Sequence, residues 1–141
     1  IRRDITESVS SFAGFAINKS ENLTNESISP NELKYGLSHI SQAGNVRTNY
    51  VMTYVADSPR LPGIADRSGN ITPALYVPSQ FTHDIFLSLD LDENFDMKLG
   101  LRNITNEKYW DWISVAGLPE GGAQQYLNPG ANLSLDLRYT F

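Results

Sequence analysis

The sequence predicts an all-β chain: an antiparallel transmembrane β-barrel, or part of one. Three observations lead there. Segments of about ten residues alternate apolar and polar side chains, which is the two-residue period of a strand with unlike faces. No segment has a helical 3.6-residue stripe, and no apolar run approaches the 18 residues of a membrane-crossing helix. The connections between the alternating segments are in turn short and long, as in a barrel with tight turns at one rim and extended loops at the other.

The clearest strand is Asn132–Phe141. Leu133, Leu135, Leu137, Tyr139 and Phe141 fall on one face, and Asn132, Ser134, Asp136, Arg138 and Thr140 on the other. Ten residues at about 3.3 Å each reach roughly 33 Å, enough to cross a bilayer at a tilt. Taken alone, this strand suits the last strand of a soluble sandwich equally well.

Earlier elements follow the same rule. Residues 6–17 are small, apolar and β-permissive and are read as a strand, followed by a polar loop over 18–31. Strand 32–41 places Leu33, Tyr35, Leu37 and His39 together, and strand 46–56 does the same with Val46, Thr48, Tyr50, Met52 and Tyr54. Between them Gln42-Ala-Gly-Asn45 is a tight turn. A long segment, 57–81, carries four prolines and is read as a loop. Strand 82–91 aligns Ile85, Leu87, Leu89 and Leu91; after the turn at 92–94, strand 95–105 aligns Phe95, Met97, Leu99 and Leu101. A second long loop, 106–131, is rich in aromatics and glycine. That makes six strands, with every long connection (18–31, 57–81, 106–131) at one end, external in a barrel of the outer membrane, and the short turns at the periplasmic end. A sandwich has no reason to sort its connections this way.

Six strands are too few to close a barrel, and an open sheet would leave bare edges in lipid. The chain is therefore expected to be one end of a larger barrel or, alternatively, a subunit of which several copies assemble.

Composition narrows function. With 11 basic and 16 acidic residues the net charge is −5 and no basic patch occurs, which argues against a nucleic-acid partner. There is no cysteine, so thiol catalysis, thiolate metal sites and disulfides are excluded. Asp84, Asp90, Asp96, Asp136, Arg47, Lys98, Arg102 and Arg138 all fall on the polar, lumen-facing side, where mixed charge is ordinary. The run Asp90–Asp96 looks faintly like a calcium loop, but Phe95 and Leu101 stand where that loop needs Gly and Glu, so it is read as a turn. His39 and His83 share the apolar face and are read as rim residues rather than metal ligands. No catalytic constellation can be nominated, and the chain is not read as an enzyme.

The run Leu99–Trp112 (LGLRNITNEKYWDW), through Leu99, Leu101, Asn103, Ile104, Asn106 and Tyr109, resembles the penultimate strand and last external loop of TonB-dependent outer-membrane receptors. The continuation from Tyr109-Trp-Asp-Trp to Leu118, then Tyr126 and Pro129-Gly130, is similar to the haem and haemoglobin receptor branch. Thr105 departs from the usual Phe, Ala116 from the usual Arg, and Ala131 from a frequent Arg. The resemblance is strongest over 82–141. It implies a Gram-negative outer-membrane protein with a plugged barrel of about 22 strands, of which these would be the last six. It further implies energy-coupled uptake of an iron carrier: haem or a haem protein, or alternatively a ferric siderophore. The implied partners are outer-membrane lipid, the remaining barrel and plug, the TonB complex acting through the plug, and a haem-carrier protein. No cofactor is expected to reside in this segment. A small porin or adhesin barrel is the rival of another class.

Two groups of residues are singled out. Tyr109, Trp110 and Trp112 lie where a strand leaves the outer leaflet; they are expected to anchor there or to touch a flat apolar ligand from the external loop. Tyr139 and Phe141 resemble the signal by which outer-membrane assembly machinery recognises its substrates.

Overall fold

A computed structural model describes residues 1–18, 29–58, 64–65, 67–73, 75–116 and 118–141. Its framework is one antiparallel sheet of seven strands: β1 (Arg2–Asp4), β2 (Val9–Ala16), β3 (Glu32–Ile40), β4 (Val46–Val55), β7 (Gln80–Asp92), β8 (Phe95–Arg102) and β9 (Asn132–Tyr139), each bonded to the next in that order. The remaining strands, β5 (Ile64–Ala65) and β6 (Ile71–Thr72), pair only with each other, as a small hairpin inside the long connection between β4 and β7.

The strand expected over 6–17 is present as β2 from Val9 onward, but residues 5–8 turn the chain and pair it with a strand that was not expected, β1. Thr6 is the reason. Its hydroxyl accepts the backbone N–H groups of Ser8 (3.3 Å) and Val9 (3.0 Å), and the N–H groups of Ile5 and Thr6 both reach Val9 O. A threonine that captures its own downstream backbone makes a turn rather than a strand. This turn lies at the same end of the sheet as Ser41–Asn45 and the turn after Asp92. At Gly44 (φ 76°) the second turn uses the left-handed region that glycine enters freely. At the third, Asp92 Oδ1 accepts Asn94 N–H at 2.7 Å, after a register shift between Asp90 and Asp92.

Register sorts the faces. Leu133, Leu135, Leu137 and Tyr139 stand opposite Leu101, Leu99, Met97 and Phe95; these continue to Ile85, Leu87 and Leu89, then to Tyr50, Thr48 and Val46. Leu33, Tyr35, Leu37 and His39 extend the row through β3, and Val9, Ser11, Ala13 and Phe15 complete it in β2. The opposite face carries Arg47, Asp84, Lys98, Asp136 and Arg138, with Lys98 directly across from Asp136 and Asp96 across from Arg138. Two aromatics interrupt that polar face, and each leans over a glycine: Phe12 over Gly36 and Phe86 over Gly100. A ring laid across a glycine covers backbone that a bare Gly would expose to the lumen.

Among the described residues, no second sheet packs on either face. On β9 the apolar row is bare, with Leu133, Leu135 and Leu137 at 64, 58 and 57% exposure. In water such a row would be an aggregation hazard. A sandwich would bury one face between two layers, and the described residues supply only one.

The buried apolar core lies elsewhere. Leu75, Val77, Trp112, Val115 and Ala123, all buried, form one cluster at the long-loop end, with Trp110, Ala116 and Leu118 packed against it. The two segments expected to be plain loops therefore fold on each other. Loop 106–131 contains a one-turn helix, α1 (Trp112–Val115), and two 3₁₀ turns, Glu120–Gly122 and Gln124–Tyr126. A backbone bond from Leu75 N to Leu118 O ties the two loops together, and one from Ser58 N to Val77 O closes the first on itself. Of the external loop expected over 18–31, residues 19–28 lie outside the described residues.

Candidate functional site

The long-loop end gathers the residues singled out in the sequence, and it separates them. β8 stops at Asn103, which takes a positive φ of 49° and is 4% exposed. Asparagine tolerates that conformation because its side chain bonds nearby backbone. Here Asn103 Nδ2 donates to Glu107 O (2.7 Å), Asn103 Oδ1 accepts from Glu107 N (3.0 Å), and Asn103 N donates to Asp84 Oδ1 (2.8 Å). Asn106, also left-handed at φ 56°, accepts Ala131 N–H on Oδ1 at 3.0 Å. The Glu107 carboxylate takes Phe81 N–H at 3.1 and 3.2 Å. The run Asn-Ile-Thr-Asn-Glu thus ties the outer end of β8 to the start of β7 and the approach to β9. Sequence reading quoted Asn103 and Asn106 only as part of a family pattern; two asparagines three apart at a strand end were the available signal for this knot.

From there the chain carries Trp110 and Trp112 to the loop core, where both line one crevice, and Tyr109 to the other side. Trp112 is 4% exposed, inside the loop core, and its Nε1–H has no partner among the described residues. Most of its ring is packed in the loop core, and what remains reaches the crevice that Trp110 lines. An indole buried without a partner for its N–H is tolerated only where the packing of its rings outweighs an orphan donor, about 1–3 kcal/mol. Trp110 is half-buried. Its Nε1–H donates to Ala123 O at 2.8 Å, and its backbone bridges to Leu127. It faces a crevice of about 120 Å³ that Pro30, Val55, Pro78 and Gln80 also line.

Tyr109 turns toward the polar face instead. With Asp84, Arg102, Asn128 and Asn132 it lines a pocket of about 320 Å³ between the outer ends of β7, β8 and β9. Burial first, and then the nearby charges of Asp84, Asp111 and Glu107, push its pKa above the usual phenol value. Its hydroxyl is therefore protonated throughout the physiological range and is available as a donor. This volume is at the small end of ligand pockets. The pocket was not foreseen, because Asp84 and Arg102 read in sequence as ordinary lumen charges and nothing linked them to Tyr109.

The two histidines are apart. His83 shares a 2.5 Å hydrogen bond with the Tyr50 hydroxyl and stands edge-on to Phe81 at 4.6 Å, while His39 lies near the other rim opposite Thr48. Among the described residues no three His, Asp or Glu side chains converge in a way that could hold a metal. Tyr139 and Phe141 are at the short-turn end, far along the sheet from the pocket. Both are exposed, with rings edge-to-face at 5.0 Å, and Thr140 N bonds Asn94 O.

No family model matches the sequence, and no curated protein does. Solved structures do resemble the fold. Copper transporter OprC superposes with a TM-score of 0.77 at 15% identity, over 99% of this chain and 22% of its own. The FrpB iron transporter from Neisseria meningitidis (F3-3 variant) gives 0.69 at 18% identity, over 96% of this chain and 22% of its own. The chain thus spans 22% of the length of each. What they share is an antiparallel all-β run of transmembrane-barrel strands.

Proposed function

We propose that this chain builds part of the wall of a TonB-dependent receptor in the outer membrane of a Gram-negative bacterium, and that the receptor imports an iron carrier, with haem or a haem protein preferred. One observation carries the membrane half: a single-layer sheet with a mainly apolar face, mixed charge on the other, and every long connection at one rim. Only a closed barrel provides such a sheet with lipid outside and water inside. The copper and iron transporters of similar fold support transport rather than catalysis as its work. In this reading the rest of the barrel, a plug, and the TonB complex acting through that plug are the partners, and a haem-carrier protein would dock on the external loops. The small porin or adhesin alternative accounts for the sheet but gives no reason for the folded loop core.

The preference for haem rests on the likeness of Tyr109–Leu118 and Pro129-Gly130 to the haem branch. The siderophore alternative keeps one specific support: Ala116 stands where that branch has arginine. Titrating haem into the complete receptor in detergent is expected to shift the Soret band with saturation. No shift, together with saturable binding of a ferric siderophore, would transfer the assignment to the alternative.

Tyr139 and Phe141 belong in this reading to assembly. Phe141→Ala in the complete receptor is expected to lower the fraction reaching the outer membrane several-fold, while the molecules that do arrive bind ligand normally. Normal assembly combined with weakened binding would remove them from that role.

A further inference from the structure

We propose that the pocket between Asp84, Arg102 and Tyr109 is a subsite for a carboxylate of the transported carrier. The inference rests on the receptor reading above but not on its choice of carrier. Asp84 and Arg102 stand across the β7–β8 ladder, one step beyond the Ile85–Leu101 pair, where opposite charges would ordinarily join. No ion pair joins them. Asp84 is drawn to Asn103 N–H at 2.8 Å, and Arg102 lies over the Phe86 ring with its guanidinium carbon 5.7 Å from the centroid. Ring stacking leaves the guanidinium edge, with its fork of N–H donors, unspent.

That edge opens onto a pocket that also holds the Tyr109 hydroxyl and the Asn128 amide. The Tyr109 hydroxyl is kept protonated and has no hydrogen bond to another described residue; Asn128 adds an amide, while the Asn132 amide donates to Gly130 O at 3.4 Å. A planar fork beside a phenol matches a carboxylate, which accepts two parallel bonds from arginine and a third from the hydroxyl. Asp84 opposes an anion, and so weakens the subsite without abolishing it. In the haem reading the group is a propionate; in the siderophore reading it is a free carboxylate of the chelator.

The test compares carriers that differ only in that group. Haem and its dimethyl ester, in which both propionates are masked, are titrated into the complete receptor in detergent. Arg102→Gln is expected to weaken haem binding roughly 10- to 100-fold, the loss of one charged hydrogen-bonded contact. The ester should bind wild type that much more weakly and gain no further penalty from the variant. Asp84→Asn should tighten haem, an effect that damage to the fold would not produce.

Equal losses on haem and ester, or none on either, overturn the subsite. So does a variant whose only change is a lower melting temperature, which would assign Arg102 to wall packing. If wild type binds neither porphyrin, the haem preference fails on its own. The same variants are then titrated with ferric citrate, which carries free carboxylates, and with ferrioxamine B, which carries none. Selective loss on citrate supports the pocket, and unselective loss or no binding overturns it.

Discussion

Replacing Gly36 with valine is expected to lower the stability of the assembled barrel by about 3 kcal/mol or more and to reduce its yield in the membrane. Gly36 is buried at the middle of β3, and a Cβ placed there runs into the Phe12 ring from β2 and the Tyr50 carbonyl oxygen from β4. The ring can rotate aside, but the carbonyl belongs to the β3–β4 ladder and cannot. Overpacking of this kind costs about 1–3 kcal/mol for inserted methylenes alone, and the displaced ladder adds to that. The check is thermal unfolding in detergent together with the heat-dependent gel shift of folded barrels. Adding Phe12→Ala should recover only part of the loss, because the Tyr50 carbonyl remains. Full recovery would show that the ring was the whole obstacle, and a Gly36→Val barrel that melts like wild type would refute the packing.

Trp112→Ala is expected to dissolve the loop core and leave the sheet standing. The indole is 4% exposed among Leu75, Val77, Val115 and Ala123. An aromatic of that size buries roughly 200 Å², and emptying such a site costs about 3–5 kcal/mol. The orphan Nε1–H offsets part of this, since it is already a cost in the native state. Hydrogen exchange should therefore accelerate at Leu75, Val115 and Leu118, and proteases should cut within 106–131, while protection across β3, β4, β7 and β8 persists. Trp112→Phe keeps most of the apolar area and deletes the unpaired donor, so its loop core should be close to wild type in protection. If Trp112→Phe instead lost carrier affinity with protection unchanged, Trp112 would be a contact residue and the packing account would fail.

These two residues also show what could be read from the chain beforehand. Alternation in 82–91, broken only by Phe86, and in 95–102 and 132–141 named the faces correctly, because a period of two leaves only one way to orient a half-apolar strand. The strand over 6–17 holds except at its start, where one hydroxyl, that of Thr6, diverts the backbone into a turn and leaves the short β1 unforeseen. The loop core was harder to see. Leu75 and Val77 lie among prolines, and Trp112 and Val115 among polar residues, so no local period marks them; only contact between loops about forty residues apart makes them a core. The pocket around Tyr109 was hidden for a related reason. Its parts come from three strands and a loop, and its character depends on Asp84 and Arg102 declining to pair.

The separation between a bare sheet and a buried loop cluster means that two solvents hold this one chain together. The strands persist because their backbone groups have no competing partner in hydrocarbon, a stabilisation set by the ladder and indifferent to how oily the side chains are relative to lipid. The cluster of Leu75, Val77, Trp112, Val115 and Ala123 sits at the watery rim and persists because water expels it, with the heat-capacity signature and denaturant sensitivity of a small soluble domain. Cold, urea and salt therefore act on the rim, while in the receptor reading bilayer thickness and lipid composition act on the wall, so the loop core can soften without the sheet giving way.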